Sequence, residues 1–408
     1  MKTTTNRTFR IAALVAIVWI SSLESANANL NRGKYLPRTG DLRGLHVDPD
    51  GMLYVATIDQ HRVPWPQYVY SLNRKGRIVG DIAIPRGQWL TRPFQVAFAP
   101  GGRDFYVVGL TAPSSRGSQL AVMRVSLDTG AIVWEIKVKK LGRLKRPSVL
   151  PTDQVKAAPD GHSITIGGLA HGRETPADRS PFVIRISSKG KVMWSRNFQT
   201  GDYSGITDLA VDERGNAYVV TYSSLGLSLS RFDSRGKQVW RREFTDCGQR
   251  FGHVATSLDG EVVAIGAACS DSADRQLYLG TLNADGSGYS SNTWHPPEAA
   301  FEYVQLWDLA VTAEGELALL VRSWEFWFGP GLAFMAQEHF LVVHANREGV
   351  QTGSRLLGVA FGDNLPAYYV WPRALAAHPQ GGLVVAGQGA LRQRGASPKV
   401  GTWVRRLK

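Results

Sequence analysis

Short apolar runs alternate with polar turns along most of the chain, and one unit recurs. An apolar strand leads into a tight turn, and a second apolar strand follows. The seven copies read LHVDPDGMLYVA, VAFAPGGRDFYVVG, VKAAPDGHSITIGG, LAVDERGNAYVVT, VATSLDGEVVAIG, LAVTAEGELALLV and LAAHPQGGLVVAG. Apolar runs bounded by such turns predict β-hairpins. The turn glycines are Gly51, Gly102, Gly161, Gly215, Gly260, Gly315 and Gly381. Their spacing averages 55 residues, close to the period of known repeat architectures. Six positions before them stand Leu45, Val96, Val155, Leu209, Val254, Leu309 and Leu375. This invariant apolar position predicts a side chain pressed into a neighbouring sheet.

Each unit continues into a third strand, as in YVYSLN, AVMRVSL or FLVVHAN. In the first six units a second turn and a fourth strand follow. Trp134, Trp194 and Trp240 lie four positions after the glycine of that turn. Each ring is expected to pack on the next sheet, burying ~200 Å². Four antiparallel strands per unit, seven times over, predict an all-β fold: a seven-bladed β-propeller of four-stranded antiparallel blades. The seventh unit holds three strands before Lys408. The segment from Leu30 to Thr39 is expected to supply the fourth, so that the N-terminal strand closes the ring and removes an exposed edge.

The G-x-x-x-W turn resembles the repeats of pyrroloquinoline-quinone-like propellers, and the whole chain beyond its N-terminal leader is similar to exported bacterial seven-bladed β-propeller repeat proteins. The quinone-dependent dehydrogenases have eight blades and a disulfide between adjacent cysteines. This chain has seven units, and its two cysteines, Cys247 and Cys269, are far from adjacent. No residue is therefore assigned as a quinone ligand.

The segment Met1 to Ala28 has the form of a signal peptide: basic Lys2, Arg7 and Arg10, an apolar run from Ile11 to Leu23, and an Ala26-Asn27-Ala28 cleavage pattern. The apolar run falls short of the ~20 residues needed to span a bilayer. Residues 29–408 are expected to form one propeller domain without a transmembrane segment, periplasmic or secreted and monomeric. The leader holds three basic residues and one acid, so the remainder carries +11 of the full +13 charge. That excess favours acidic partners. Signatures of nucleic-acid recognition are absent. Cys247 and Cys269, an even count in an oxidising compartment, are expected to form one disulfide, with two inert thiols as the alternative.

Chemistry is expected on one side of the ring. Connections from second to third strand and from blade to blade share a face, and they are long, basic and aromatic. The candidate ligand-binding residues are Arg62, Trp65, Trp89, Lys145, Arg146, Arg173, Trp294, Trp324, Trp327 and Arg373. Aromatic faces suit sugar rings, and arginine forks suit carboxylates, sulfates or phosphates. An anionic glycan or an acidic protein fits both. The insert SWEFWFGPGLAFM (Ser323 to Met335) reads as a lid, a partner anchor, a membrane-touching tip or a cap on the channel.

Seven positions before the turn glycines come Gly44, Gln95, Gln154, Asp208, His253, Asp308 and Ala374. Asp208, His253 and Asp308 could act as acid and base or hold Ca²⁺. The competing reading has the carboxylates bind backbone amides of the next blade. No nucleophile elbow, zinc helix, phosphate-cradling loop or C-x-x-C pair is present. The expected function is thus a cofactor-free exported scaffold that binds an acidic partner. The alternatives are a channel-centred enzyme (a lactonase- or lyase-like hydrolase) and a subunit of a periplasmic redox or envelope complex.

Overall fold

The computed structural model describes residues 34–36, 41–58, 67–75, 77–112, 117–142, 144–145, 148–149, 154–171, 179–198, 205–223, 226–244, 252–257, 259–269, 276–294, 303–312, 314–328, 334–361, 368–379, 381–391 and 399–407, some of the strand residues by backbone alone. The signal-peptide segment lies outside them.

Seven antiparallel sheets form the seven blades. The inner strands are Asp41–Val47, Arg92–Phe98, Gln154–Ala157, Gly205–Val211, Gly252–Thr256, Tyr303–Val311 and Tyr368–Ala377. Each touches the inner strand of the blade before and after it, and the last touches the first, so the ring is closed. The fold is a seven-bladed β-propeller, and no helix occurs among the described residues. Closure follows the expected route. Lys34–Tyr35 pairs antiparallel with the last strand, Lys34 opposite Val404 and Tyr35 opposite Trp403. The Leu36 N–H donates to the Thr402 carbonyl at 2.9 Å.

The seven repeat glycines all have positive φ, from 64° to 78° in six of them and 80° at Gly315. The apolar positions six places earlier fall one into each of seven separate interblade clusters. Among the described residues the hydrophobic interior is divided into seven seams rather than gathered in a single core. Each seam buries side chains of an inner strand together with the flanks of two sheets, and that burial drives closure.

The repeat tryptophans fasten these seams. Trp134 Nε1–H donates to the Ser188 carbonyl (2.7 Å), Trp194 to Ser234 (3.0 Å) and Trp240 to Ala284 (3.0 Å), each in the second turn of the next blade. The receiving turn needs glycine for two reasons. Gly236 has φ +77°, and a Cβ there would stand 2.5 Å from the Trp194 ring. Arg124 and Arg231 donate to the Ser188 and Ala284 carbonyls at 2.6 and 2.9 Å, doubling two of the fastenings. In blade 5 the tryptophan position holds Ser290, and Asn292, two residues on, donates its side-chain amide to the Glu348 carbonyl in the second turn of blade 6 at 2.8 Å.

Two connections differ from their expected loop form. Between blades 2 and 3, Lys140–Leu141 pairs with Leu144–Lys145 as a small hairpin, and Ser148–Val149 adds to the second strand of blade 3. In blade 6 the aromatic insert continues two strands, Leu317–Phe328 and Phe334–Ala345, paired without a break from Leu317↔Ala345 to Phe328↔Phe334. A third strand, Gln351–Phe361, accompanies the second as far as Gln337↔Phe361. The insert is therefore an elongated hairpin with its tip, 329–333, outside the described residues.

Candidate functional site

The polar repeat position on the inner strands stitches blade to blade. Asp208 Oδ1 accepts from its neighbour, Leu209 N–H (2.7 Å), and Oδ2 accepts from Val254 N–H of blade 5 (3.0 Å). Asp308 repeats the arrangement further round the ring: Leu309 N–H at 2.9 Å and Leu375 N–H of blade 7 at 2.7 Å. Gln154 donates to the Thr207 carbonyl of blade 4 at 2.6 Å. Gln95, with its amide oriented to satisfy its neighbours, donates to the Arg43 carbonyl of blade 1 at 3.1 Å. Where blade 1 has glycine at this position, a Cβ on Gly44 would stand 2.5 Å from the Val96 carbonyl oxygen. The competing reading of the carboxylates, as partners of amides in the next blade, is the geometry observed.

His253 Nδ1 lies 3.4 Å from Asp208 Oδ2. Burial alone would disfavour both charges. The hydrogen bond to His253, the charges of Lys156 and His253 and the Val254 amide outweigh it at Asp208 and hold that carboxyl below its ordinary value. Burial likewise opposes the His253 cation, but Asp208 and Asp308 raise it. Asp308 has no such close partner, and burial pushes it up despite Lys156 and His253. Among the described residues no group of three or more His, Cys, Asp or Glu has metal-holding geometry.

The linkage has a definite sign. Asp208, depressed below 3.8, and His253, raised above 6.5, are both charged in the folded state between those values. The His253 contribution is complete below its unfolded pKa and fades as pH rises through the higher folded one. Replacement by His253→Gln should therefore lower the melting temperature most at about pH 5.5 and least at about pH 9. An equal loss at both values would show that the imidazole charge does not hold the seam.

A further feature was not legible in the repeat. Five inner strands carry an irregularity one residue before the polar position, at Arg43, Phe94, Thr207, Trp307 and Arg373. A bulge inserts one unpaired residue and re-aims its side chain. In blade 2 the re-aimed Phe94 is buried in the seam to blade 3. In blades 6 and 7 the bulges bring Trp307 and Arg373 together, the guanidinium carbon 4.2 Å from the ring centroid. Arg322 of the second strand of blade 6 stands 5.1 Å from the same ring. Arg373 is exposed and Arg322 half-buried. Trp307 and Arg322 were absent from the sequence candidates, because nothing in the alternation marks a bulge.

The other candidates are dispersed. Trp89, 38% exposed, sits in the connection from blade 1 to blade 2. Its N–H and those of Gln88 and Leu90 donate to the Glu135 carboxylate at 2.6 to 2.7 Å. Lys137 Nζ lies 4.2 Å from the Trp89 ring centroid. Trp294 ends the outer strand of blade 5 and packs on the seam to blade 6. Trp324 and Trp327 occupy paired backbone positions opposite Glu338 and Met335. Lys145 is placed in the small hairpin by its backbone. Arg62, Trp65, Arg146, Arg173 and Cys247 lie outside the described residues, and Cys269 ends the second strand of blade 5.

Between blades 2 and 3 the outer strands Ile132–Lys137 and Val192–Asn197 flank an open cleft of about 510 Å³. Its lining includes Lys137, Lys139, Lys140, Trp194, Ser195 and Arg196, with no carboxylate among the described residues.

Sheet order and ring closure together define a seven-bladed β-propeller. The propeller domain of a trilobed protease from Pyrococcus furiosus is similar in fold, at 9% identity and TM-score 0.50 over 91% of this chain and 97% of that one. An acylaminoacyl peptidase from Pyrococcus horikoshii aligns at 10% identity and TM-score 0.49, over 91% of this chain and 52% of that one. Sqt1 from Chaetomium thermophilum aligns at 15% identity and TM-score 0.44, over 91% and 97%. No protein-family model and no curated protein matches the sequence. No helix among the described residues is long and apolar enough to cross a membrane.

Proposed function

We propose that this chain is an exported propeller scaffold that captures an anionic glycan or an acidic protein on the loop-bearing side of the ring. The observation that carries this reading is the stack on blades 6 and 7, where the guanidiniums of Arg322 and Arg373 approach one indole ring at 5.1 and 4.2 Å. A guanidinium stacked on an aromatic face presents its N–H edge sideways, in the fork that carboxylates and sulfates accept. Two cations on one ring also repel each other, so an anion shared between them gains from both. The charge of +11 that remains without the leader steers acidic partners toward the protein from a distance.

Export is supported by the leader-like segment Met1 to Ala28. It is supported too by the absence of a free thiol at Cys269, which fits a Cys247–Cys269 bond made in an oxidising compartment. Kinship with pyrroloquinoline-quinone-like repeats belongs to the same reading, supported by the three G-x-x-x-W turns. Recovery of the native protein solely from cytosol would remove the export part.

The binding part is tested with immobilised dextran sulfate and poly-glutamate. Arg373→Glu should weaken capture of at least one of them by about tenfold or more and flatten its salt dependence. Equal capture of both by the variant and the native protein would sink the reading.

A further inference from the structure

We infer that the cleft between the outer strands of blades 2 and 3 is a binding site for the sulfate or phosphate ester group of a sugar. The inference rests on the anion-binding reading above and names a second place and a narrower ligand.

The cleft is a built cationic site. Lys137, Lys139, Lys140 and Arg196 line it. Among the described residues no carboxylate pairs with any of the four. Charge that serves only solubility is normally scattered and interspersed with acids. Four cations gathered in one concavity repel one another, and the arrangement persists against that cost. A bound anion would reverse its sign.

Geometry fixes several of the donors. Arg196 Nε donates to the Gly236 carbonyl at 2.9 Å and Nη1 to the Ser195 carbonyl at 3.1 Å. These bonds hold the guanidinium against the next blade and leave Nη2 without a protein acceptor among the described residues. Ser195 Oγ accepts from Gly142 N–H at 2.8 Å, so its own hydrogen remains to donate. Gly142, at φ +55°, makes the turn of the small hairpin that brings Lys140 to the cleft. Lys139 and Lys140 are exposed at its edge.

Size and wall chemistry select the ligand. About 510 Å³ lies within the range of small-molecule sites and is too small for a folded protein surface. Lysine ammoniums are compact, strongly hydrated point charges, suited to a tetrahedral oxyanion rather than to the planar fork of a carboxylate. Val138, Val192 and Trp194 supply apolar wall for a ring. Trp89 stands just outside, fastened to the site through Lys137.

The test is titration of the full chain with glucose 6-sulfate, glucose 6-phosphate, inorganic phosphate and glucuronate, read by calorimetry and tryptophan fluorescence. The two esters should bind, glucuronate at least tenfold more weakly. The Lys139→Glu/Lys140→Glu pair should weaken ester binding at least tenfold. Stronger binding of one ester identifies the source of the oxyanion, whereas binding of inorganic phosphate alone overturns the sugar-ester assignment. Should the double variant fail to fold, Lys139→Gln replaces it, with a smaller loss expected. Absence of ester binding by the native protein, preference for glucuronate, or ester binding unaffected by the lysine variants overturns the inference. Dextran sulfate capture that survives such a result, and is lost in Arg373→Glu, would leave the broader reading standing.

Discussion

Asp208→Ala should destabilise the ring by about 3–5 kcal/mol, the range for removing one partner of a buried charged pair. Asp208 is 6% exposed and accepts amide bonds from two blades while facing His253. Alanine would leave the Leu209 and Val254 N–H groups without acceptors and the buried imidazole without its counter-charge. Each orphaned amide alone costs about 1–3 kcal/mol. The measurement is urea unfolding: a lower midpoint with an unchanged slope. The alternative enzymatic role makes a different forecast, since a carboxylate kept for chemistry commonly destabilises its site. A variant as stable as the native protein, or more so, would therefore revive the catalytic reading.

Leu36→Pro should cost a comparable amount, about 3–5 kcal/mol, and should also make the protein associate. Leu36 is 5% exposed. It packs with Leu53, Val55, Tyr70 and Leu72 of blade 1 and with Val384, Ala386 and Val404 of blade 7. Its N–H bonds the Thr402 carbonyl. Proline removes that donor, and the lost side chain opens the seam where the ring closes. The released strand Lys399–Leu407 then presents an unpaired edge, which recruits other chains. Thermal melting with light scattering at two protein concentrations reads both effects. Leu36→Ala separates them, since it should lose stability without the same association. A proline variant that melts normally and stays monodisperse would show that the N-terminal strand does not close the ring.

The fold was legible because its determinants are local and repeated. A hairpin turn needs a residue that tolerates positive φ, so Gly51 to Gly381 mark seven turns. A seam needs an apolar side chain at one inner-strand position, so Leu45 to Leu375 mark seven seams. Trp134, Trp194 and Trp240 announced their packing for the same reason. The candidate site was read less well. Asp208 and Asp308 were visible as polar positions, but their bonds to Val254 and Leu375 join positions 46 and 67 apart in the chain, and no local pattern reports such a pairing. The bulges that bring Arg373 to Trp307 are shifts of register, and register is set by both strands together. Ser323 to Met335 read as a loop because Gly-Pro-Gly and dense aromatics usually interrupt strands; up to Phe328 and again from Phe334, pairing with the partner strand overrides the aromatics. Lys139 and Lys140 were visible as charge, whereas Arg196, the cleft's fixed guanidinium, comes from the following blade.

The tryptophan fastenings all point the same way around the circle. Blade 2 grips blade 3, blade 3 grips blade 4, blade 4 grips blade 5, and through Asn292 blade 5 grips blade 6. At the matching places in blades 1 and 6 stand Gly80 and Gly353, where even an added Cβ would meet nothing within 4 Å. A circle fastened so unevenly does not break at random. Under mechanical load it should part at those two joints, yielding a five-blade arc and a two-blade fragment that the N-terminal strand keeps tied together.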